Sequence, residues 1–436
     1  MPFSNATEPS MTSQAADPYF GIELTTDGIS RHQNLPLVIG VLAHLNAEQD
    51  ASDSAIALRK RSWLSVTQAS LDQVLQEFHP SASTRSGLQY LLGSLPAAAD
   101  IEVKVLNISK DELLQDLQKA VSPDQSCFYD FVIRQGLGTF GASPLSLLVC
   151  DFEVHHGTAD VELLRGMTEI AAQAHAPCLV NAAPQMFSLD SFSDLHRPRE
   201  LQKIFEMSEC VEWLEFREQD AAKYLAVTLP NVSTTDTAET TPSATFNSSY
   251  VLAQRIAQAF ERDHWPVNFH GFHEDSILPS VETTVSRAAE LNDLGFLPIC
   301  ARTGTRQTAV VGAVSTYRSK RYFDSRHERT EQLASTLATT LALSRVIHAV
   351  HLMLREETGS LTTCESLQKK LNVWIQRYVK APNESPSAYH PLSEGSITVT
   401  QDLEKHELLV QLRIQPRFRI ERLEEPVVIG LTHRLT

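Results

Sequence analysis

The chain has 436 residues, 42% of them hydrophobic, enough to bury a sizeable core spread over two or three domains. A formal net charge of −16 argues against a surface built for nucleic-acid phosphates, and six widely spaced cysteines (Cys127, Cys150, Cys178, Cys210, Cys300 and Cys364) argue against a disulfide or zinc framework and for reduced packing residues. No apolar run reaches the roughly 18 residues of a membrane span, and residues 1–34 lack the basic start and apolar core of a signal peptide, so a cytoplasmic protein without membrane insertion is expected.

Residues 1–34, rich in Ser, Thr, Ala, Asp and Pro, are expected to be a flexible segment without a fixed fold of its own. The run 37–42, Leu-Val-Ile-Gly-Val-Leu, reads as a buried strand, and Leu58, Arg61, Trp63 and Val66 followed by Leu71, Val74 and Leu75 complete a strand–helix segment over 35–80. A main α/β body is expected over 84–314. Within it, 147–150 is a short apolar strand, and Leu163, Leu164, Met167, Ile170, Ala171 and Ala174 recur at helical spacing. A second buried strand follows at 178–182. The polar tract 231–249 has no hydrophobic period and reads as a surface loop, and its sequons at Asn231 and Asn247 carry little weight without a secretion signal.

A C-terminal domain is expected over 315–436. Leu333, Leu337, Leu341, Leu343, Ile347, Val350 and Leu354 keep helical spacing up to a C-cap at Gly359, and Leu367, Leu371, Trp374, Ile375 and Tyr378 form a second amphipathic helix. The period then changes to two. Val410, Leu412, Ile414, Phe418 and Ile420 lie on one strand face, Arg413, Arg417 and Arg419 on the other, and Val427, Ile429 and Leu431 make a further strand. The arginines are either a solvated edge that discourages wrong pairing or a strip that meets acidic surface on a neighbour.

The chemistry-bearing patterns point away from catalysis. Gly136-x-Gly138-x-x-Gly141 matches the dinucleotide fingerprint as a string, but that motif needs a strand before it and a helix after it, and here a helix ending near Arg134 precedes it and the strand at 147–150 follows. No phosphate loop and no Gly-x-Ser-x-Gly elbow occurs. His348 and His351 could share a helix face but suggest no third metal ligand, while the side chains of His155 and His156 diverge. No catalytic residue, cofactor or metal site is expected.

Several landmarks stand in one order: Gly87-Leu88-x-Tyr90-Leu91, Phe140-Gly141-x-x-Pro144, Asp151-Phe152-Glu153, Asp160-Val161-x-Leu163-Leu164, Ala174-His175-Ala176-Pro177, Pro198-Arg199-Glu200-Leu201-x-Lys203-Ile204-Phe205, Trp213-Leu214-x-x-Arg217-Glu218, Leu294-Gly295-Phe296-Leu297-Pro298 and Trp374-Ile375-x-x-Tyr378-Val379. Together they resemble the large subunit of the type VI secretion contractile sheath, the TssC/VipB family. The segment 35–80 resembles instead the first half of the small sheath subunit, the TssB/VipA family.

The resemblance implies an α/β (α+β) fold, with a sheath-type body and a C-terminal gpW/gp25-like domain whose terminal strands reach neighbouring subunits. It implies a structural, non-enzymatic protein that assembles with the small subunit TssB/VipA and with copies of itself around the Hcp inner tube, on a baseplate, and contracts to drive secretion. Strand exchange is then expected through Leu37, Ile39 and Val41 and through Val410, Leu412, Ile414, Phe418 and Ile420, with Arg413, Arg417 and Arg419 beside them. No segment of residues 1–34 matches the family's recycling tag, which puts recycling by the ATPase ClpV in doubt. The family's Trp-Gly is Thr245-Phe246 here and the stretch between Gly271 and Leu294 is shortened, so a divergent accessory paralogue that caps or regulates a sheath is the alternative, and a dinucleotide-binding enzyme a distant one.

Overall fold

The structure, a computed structural model, describes residues 20–26, 29–46, 58–93, 95, 100–195, 200–234, 245–274, 277–302, 307–320, 325–357, 363–380, 390–402, 407–417 and 426–434. Strand β1 (Gly21–Thr26) and strand β2 (Ile29–Asn34) form an antiparallel hairpin. The run read as a buried strand is β3 (Leu37–Ala43), every residue of which is buried. A strand apolar at every position has to be covered on both faces, and β3 is. Leu37, Ile39 and Val41 point into one core with helix α1 (Leu71–Phe78), helix α2 (Ala82–Gly93) and helix α7 (Ser248–Asp263). Val38 and Leu42 point into the other, with helix α3 (Lys110–Lys119), helix α4 (Thr158–Ala174) and helix α6 (Val211–Arg217).

The remaining strands of this sheet are β4 (Leu64–Ser65), β5 (Ile101–Asn107), β6 (Leu147–Val154), β7 (Cys178–Ala182), β8 (Leu225–Leu229), β11 (Gly271–Glu274), β13 (Phe296–Ala301) and β14 (Gln307–Val310). Their spatial order is β11-β14-β13-β8-β7-β6-β3-β5-β4. The stretch from β13 to β5 is parallel throughout, with antiparallel strands at both ends. Chain order reverses at β3, the switch point of a doubly wound sheet. Helix α5 (Leu201–Phe205) and helix α8 (Val285–Asp293) complete the connections.

Two expectations change here. The tract at 231–249 is partly strand: β9 (Val232–Thr234), β10 (Thr245–Phe246) and β12 (Ile277–Pro279) make a small antiparallel sheet. Residues 20–26 and 29–34 are not a flexible tail but a docked hairpin, while residues 1–19 lie outside the described residues. Phe20 packs against Trp265 and Tyr378 with ring centroids 4.9 and 4.8 Å away, and Trp374 Nε1 donates to the Gly21 carbonyl at 2.9 Å. The polar stretch before it concealed it, although Phe20, Ile22 and Leu24 alternate ahead of Asp27-Gly28.

The C-terminal part has its own core. Helix α9 (Ser325–Ala334) is followed by helix α10 (Leu337–Glu357), so the helical period from Leu333 to Leu354 belongs to two helices. By length and composition α10 could cross a membrane, which the sequence reading passed over, but the fold buries 89% of its apolar window inside the protein. Helix α11 (Cys364–Gln376) lies on a three-stranded antiparallel sheet, β15 (Leu392–Asp402), β16 (Glu407–Pro416) and β17 (Val427–Arg434), in that order. Gly359 lies outside the described residues. The six cysteines are free thiols, five of them buried.

Candidate assembly surface

The crevice at the carboxyl ends of a doubly wound sheet is where such folds bind ligands, and in this protein it is filled by its own side chains. Lys110 reaches from the end of β5 across the end of β3, donates to the Glu153 carbonyl at 2.8 Å and pairs with Asp160 Oδ1 at 2.6 Å. At the next strand ends Asn181 Oδ1 accepts the Ser248 N–H at 3.0 Å and the Ser248 hydroxyl at 2.7 Å, so the N-terminus of α7 is satisfied from within the protein. Asn231 donates to Glu153 at 2.6 Å, and Asn247 donates to Asp151 at 2.9 Å, whose carboxyl is pushed up by burial.

The glycine string has a different use from nucleotide binding. A helical turn (Cys127–Tyr129) continues as a π-helix (Asp130–Arg134), and the glycine turn after it exposes carbonyls instead of N–H groups. Arg355 of α10 donates through Nη1 to the carbonyls of Thr139 at 2.6 Å, Ala142 at 3.3 Å and Gly136 and Leu137 at 3.4 Å. A loop whose carbonyls turn inward to a guanidinium lacks the N–H cradle by which a dinucleotide fingerprint holds pyrophosphate. Gly141 takes φ +76°, which an L side chain rarely adopts, and a Cβ on Gly138 would stand 2.9 Å from the Arg134 carbonyl.

Histidines gather at the same seam between α10 and the main body. His348 Nε2 donates to the Ala174 carbonyl at 2.8 Å, and His175, which ends α4 with φ 51°, is bonded through Nδ1 to Tyr224 at 2.8 Å and lies 6.2 Å from His351. Burial pushes His348 down to about 3 and His351 to about 4, and lowers His175 and His433 as well, so these rings are neutral. No group of three or more His, Cys, Asp or Glu that could hold a metal occurs among the described residues. His155 bonds its Nδ1 to the Gly157 N–H and lies 3.6 Å from Asp160, in the turn that opens α4.

What remains is the C-terminal sheet. Val410, Leu412 and Ile414 all point inward and are at most 1% exposed, because β16 is the middle strand and its apolar face covers α10 and α11. They are core, and the expected exposed apolar edge is corrected on that point. Arg413 lies on the outer face and pairs with Glu394 of β15 at 2.7 Å, within the same sheet. The Arg417 N–H donates to the Pro391 carbonyl at 2.7 Å. Phe418, Arg419 and Ile420 lie outside the described residues, as do Pro198 and Arg199. Leu37, Ile39 and Val41 are corrected likewise: β3 is hydrogen-bonded to β5 on one side and β6 on the other, so it has no edge to offer a second chain.

The two outer strands differ. The outer edge of β15 is covered by α11 and the segment after it, where the Leu392 N–H donates to the Tyr378 carbonyl. In contrast, β17 has one neighbour in the sheet among the described residues and runs along a cleft of about 740 Å³ whose far wall includes Tyr129, Ile133, Leu137 and the 64%-exposed Phe140. Sequence reasoning missed β15 altogether, although Ile397 and Val399 alternating with Thr398 and Thr400 carried a period of two.

Residues 67–286 match the tail sheath N-terminal domain of the VipB family (EvpB/VC_A0108), and residues 326–430 match the tail sheath gpW/gp25-like domain of the same description. The type VI secretion system sheath protein TssC1 of Pseudomonas aeruginosa is 29% identical over 370 residues, covering 74% of each chain. Among solved structures, the sheath of an extracellular contractile injection system (PVC) in its contracted state gives a TM-score of 0.50 at 9% identity, over 100% of this chain and 95% of that one. The contracted helical sheath of the anti-feeding prophage gives 0.51 at 12%, over 96% and 98%. A sheath tail protein from Listeria innocua gives 0.50 at 9%, over 92% and 96%. At such identities these likenesses establish the fold, a mixed α/β body with an α+β C-terminal part. The two domain matches, in order and spanning most of the described chain, establish more: this protein belongs to the VipB family of tail-sheath proteins.

Proposed function

We infer that this chain is a structural subunit of the contractile sheath of a type VI secretion system and works by assembly, without a catalytic centre. The observation that carries this reading is the succession of the two tail-sheath domains along the chain, together with 29% identity to a type VI sheath protein over 74% of its length. The geometry supports it. Lys110, Asn181 and Asn231 at the switch point are engaged in hydrogen bonds within the protein, and the edge of β17, which pairs with no strand but β16 among the described residues, suits association through main-chain hydrogen bonds.

Under this reading the partners are copies of the same chain, a small sheath subunit of the TssB/VipA type, an Hcp inner tube and a baseplate. The net charge of −16 and the interior position of α10 suit a cytoplasmic assembly bound neither to nucleic acid nor to membrane. Segment 35–80, read as small-subunit-like, would then supply β3 from within the chain. Co-expression with a small sheath subunit, followed by negative-stain electron microscopy, tests this. Hollow tubes or sheath fragments containing both chains are expected. A monodisperse protein that never associates with the small subunit overturns the bulk-sheath reading, and decoration of tube ends alone favours an accessory cap.

A further inference from the structure

Helix α11 carries an amide at every fourth residue of one face, Gln368, Asn372 and Gln376, and each meets the outer edge of β15 at every second residue. The Val399 N–H donates to Gln368 Oε1 at 2.8 Å. The Ile397 N–H donates to Asn372 Oδ1 at 3.0 Å, while Asn372 Nδ2 donates back to the Ile397 carbonyl at 2.5 Å. Gln376 Nε2 donates to the Gly395 carbonyl at 2.6 Å. The spacing works because four helical residues rise about 6 Å and two strand residues about 6.6 Å. Closer to the strand start the backbone takes over: the Leu392 N–H donates to the Tyr378 carbonyl at 3.1 Å and its carbonyl accepts the Lys380 N–H at 3.0 Å.

A carboxamide both donates and accepts, so at Asn372 one side chain reproduces the two-bond exchange that a residue of a neighbouring strand would make. A carboxylate or an ammonium would satisfy one polarity and leave the other exposed. We propose that Gln368, Asn372 and Gln376 act as an edge guard that closes β15 to strand addition, so that an extended strand from another sheath subunit can join the C-terminal sheet only at β17. This rests on the assembly reading and adds its direction: strand addition is one-sided, and the amides of α11 decide which side.

The test has two parts. Amide hydrogen exchange on the unassembled full chain should show Gly395–Val399 protected, with the triple variant Q368A/N372A/Q376A exchanging there about five- to tenfold faster while α10 and β16 stay unchanged. Equal exchange in both proteins, or Val399 and Ile397 unprotected in the parent, overturns the guard. N372A alone, which removes the acceptor of the Ile397 N–H, serves if the triple variant does not fold, and should give the same acceleration confined to Ile397. In the second part a photo-crosslinking residue replaces Thr398 or Val428 in the co-assembled sheath. Crosslinks to another subunit from position 428 alone, extending to position 398 in the triple variant, are expected. Crosslinks from position 398 in the parent refute the guard while leaving assembly standing. Absence of crosslinks from both positions in formed tubes refutes strand addition itself, and absence of tubes refutes the assembly reading.

Discussion

The two sheets of this protein solve opposite problems with similar strands. In the nine-stranded sheet β3 is apolar at every position, covered on both faces and bonded along both edges, so all its backbone and side-chain potential is spent within one chain. The three-stranded sheet buries one face, closes one edge with the amides of α11 and leaves the edge of β17 beside a cleft. A rigid body that transmits force needs the first arrangement, and a surface that joins other rigid bodies needs the second. Hydrophobicity does not distinguish them. The number of covered edges does.

The sharpest way to break that comparison is one substitution type in both sheets. I39P removes a ladder donor from a central strand and forces its φ, at a cost of about 3 kcal/mol or more, so the chain should lose its cooperative thermal transition and collect in the insoluble fraction. Adjacent strand residues send their N–H groups to opposite edges, so of V428P and I429P one removes only an outward donor of β17. That variant should unfold within about 1 kcal/mol of the parent yet fail to assemble. If I39P folds and only assembly suffers, the core position of β3 is wrong.

The histidine seam gives the next largest effect. His348 and His351 are held near 3 and 4, well below the 6.5 of an exposed ring. Their folded-state values are depressed, so the unfolded chain binds more protons below pH 6.5. Stability is therefore complete above about 6.5 and is lost as pH falls toward 4, by up to about 1.4 kcal/mol per pH unit for each such ring. Urea midpoints at pH 7.5, 6 and 5 should fall in that order. H348Q, which keeps a donor for the Ala174 carbonyl, should flatten the slope. A pH-independent midpoint in the parent would show that the rings are hydrated.

Smaller changes sharpen the picture. R355M leaves the carbonyls of Thr139 and Ala142 without their donor and should cost about 2–3 kcal/mol, read as a lower denaturation midpoint with the fold retained. R413A removes an exposed pair with Glu394 and should move stability by less than about 0.5 kcal/mol, while any loss of assembly beyond that would mark the strip as a subunit contact.

Much of the fold could be read from residues alone. The runs at 147–150 and 178–182 and the helical spacing of Leu163 to Ala174 became β6, β7 and α4, because a doubly covered sheet requires such continuous apolar stretches. The order of helix, glycines and strand around Gly138 also held, since the fingerprint depends on the sequence of elements. The partners of a strand, however, are not written in the strand: Ile39 and Val410 look alike, and only pairing shows that both are interior. The hairpin at 20–34 escaped notice because residues 1–34 read as one polar tract, although Phe20, Ile22 and Leu24 alternate before Asp27-Gly28, and Gln368, Asn372 and Gln376 look like a solvated helix face until β15 is placed beside them.

One contact has a consequence for how the chain is made. Arg345 donates to the Leu35 carbonyl at 2.7 Å across 310 positions of sequence, and Phe20 is held by Trp265, Trp374 and Tyr378. This early hairpin therefore lacks most of its binding site until Arg345, Trp374 and Tyr378 have been synthesised. During that interval β1 and β2 carry unpaired edges of their own, and loops of this length close late and slowly. A nascent chain stalled before residue 374 should leave Phe20 open to protease, whereas one stalled after β15 should not.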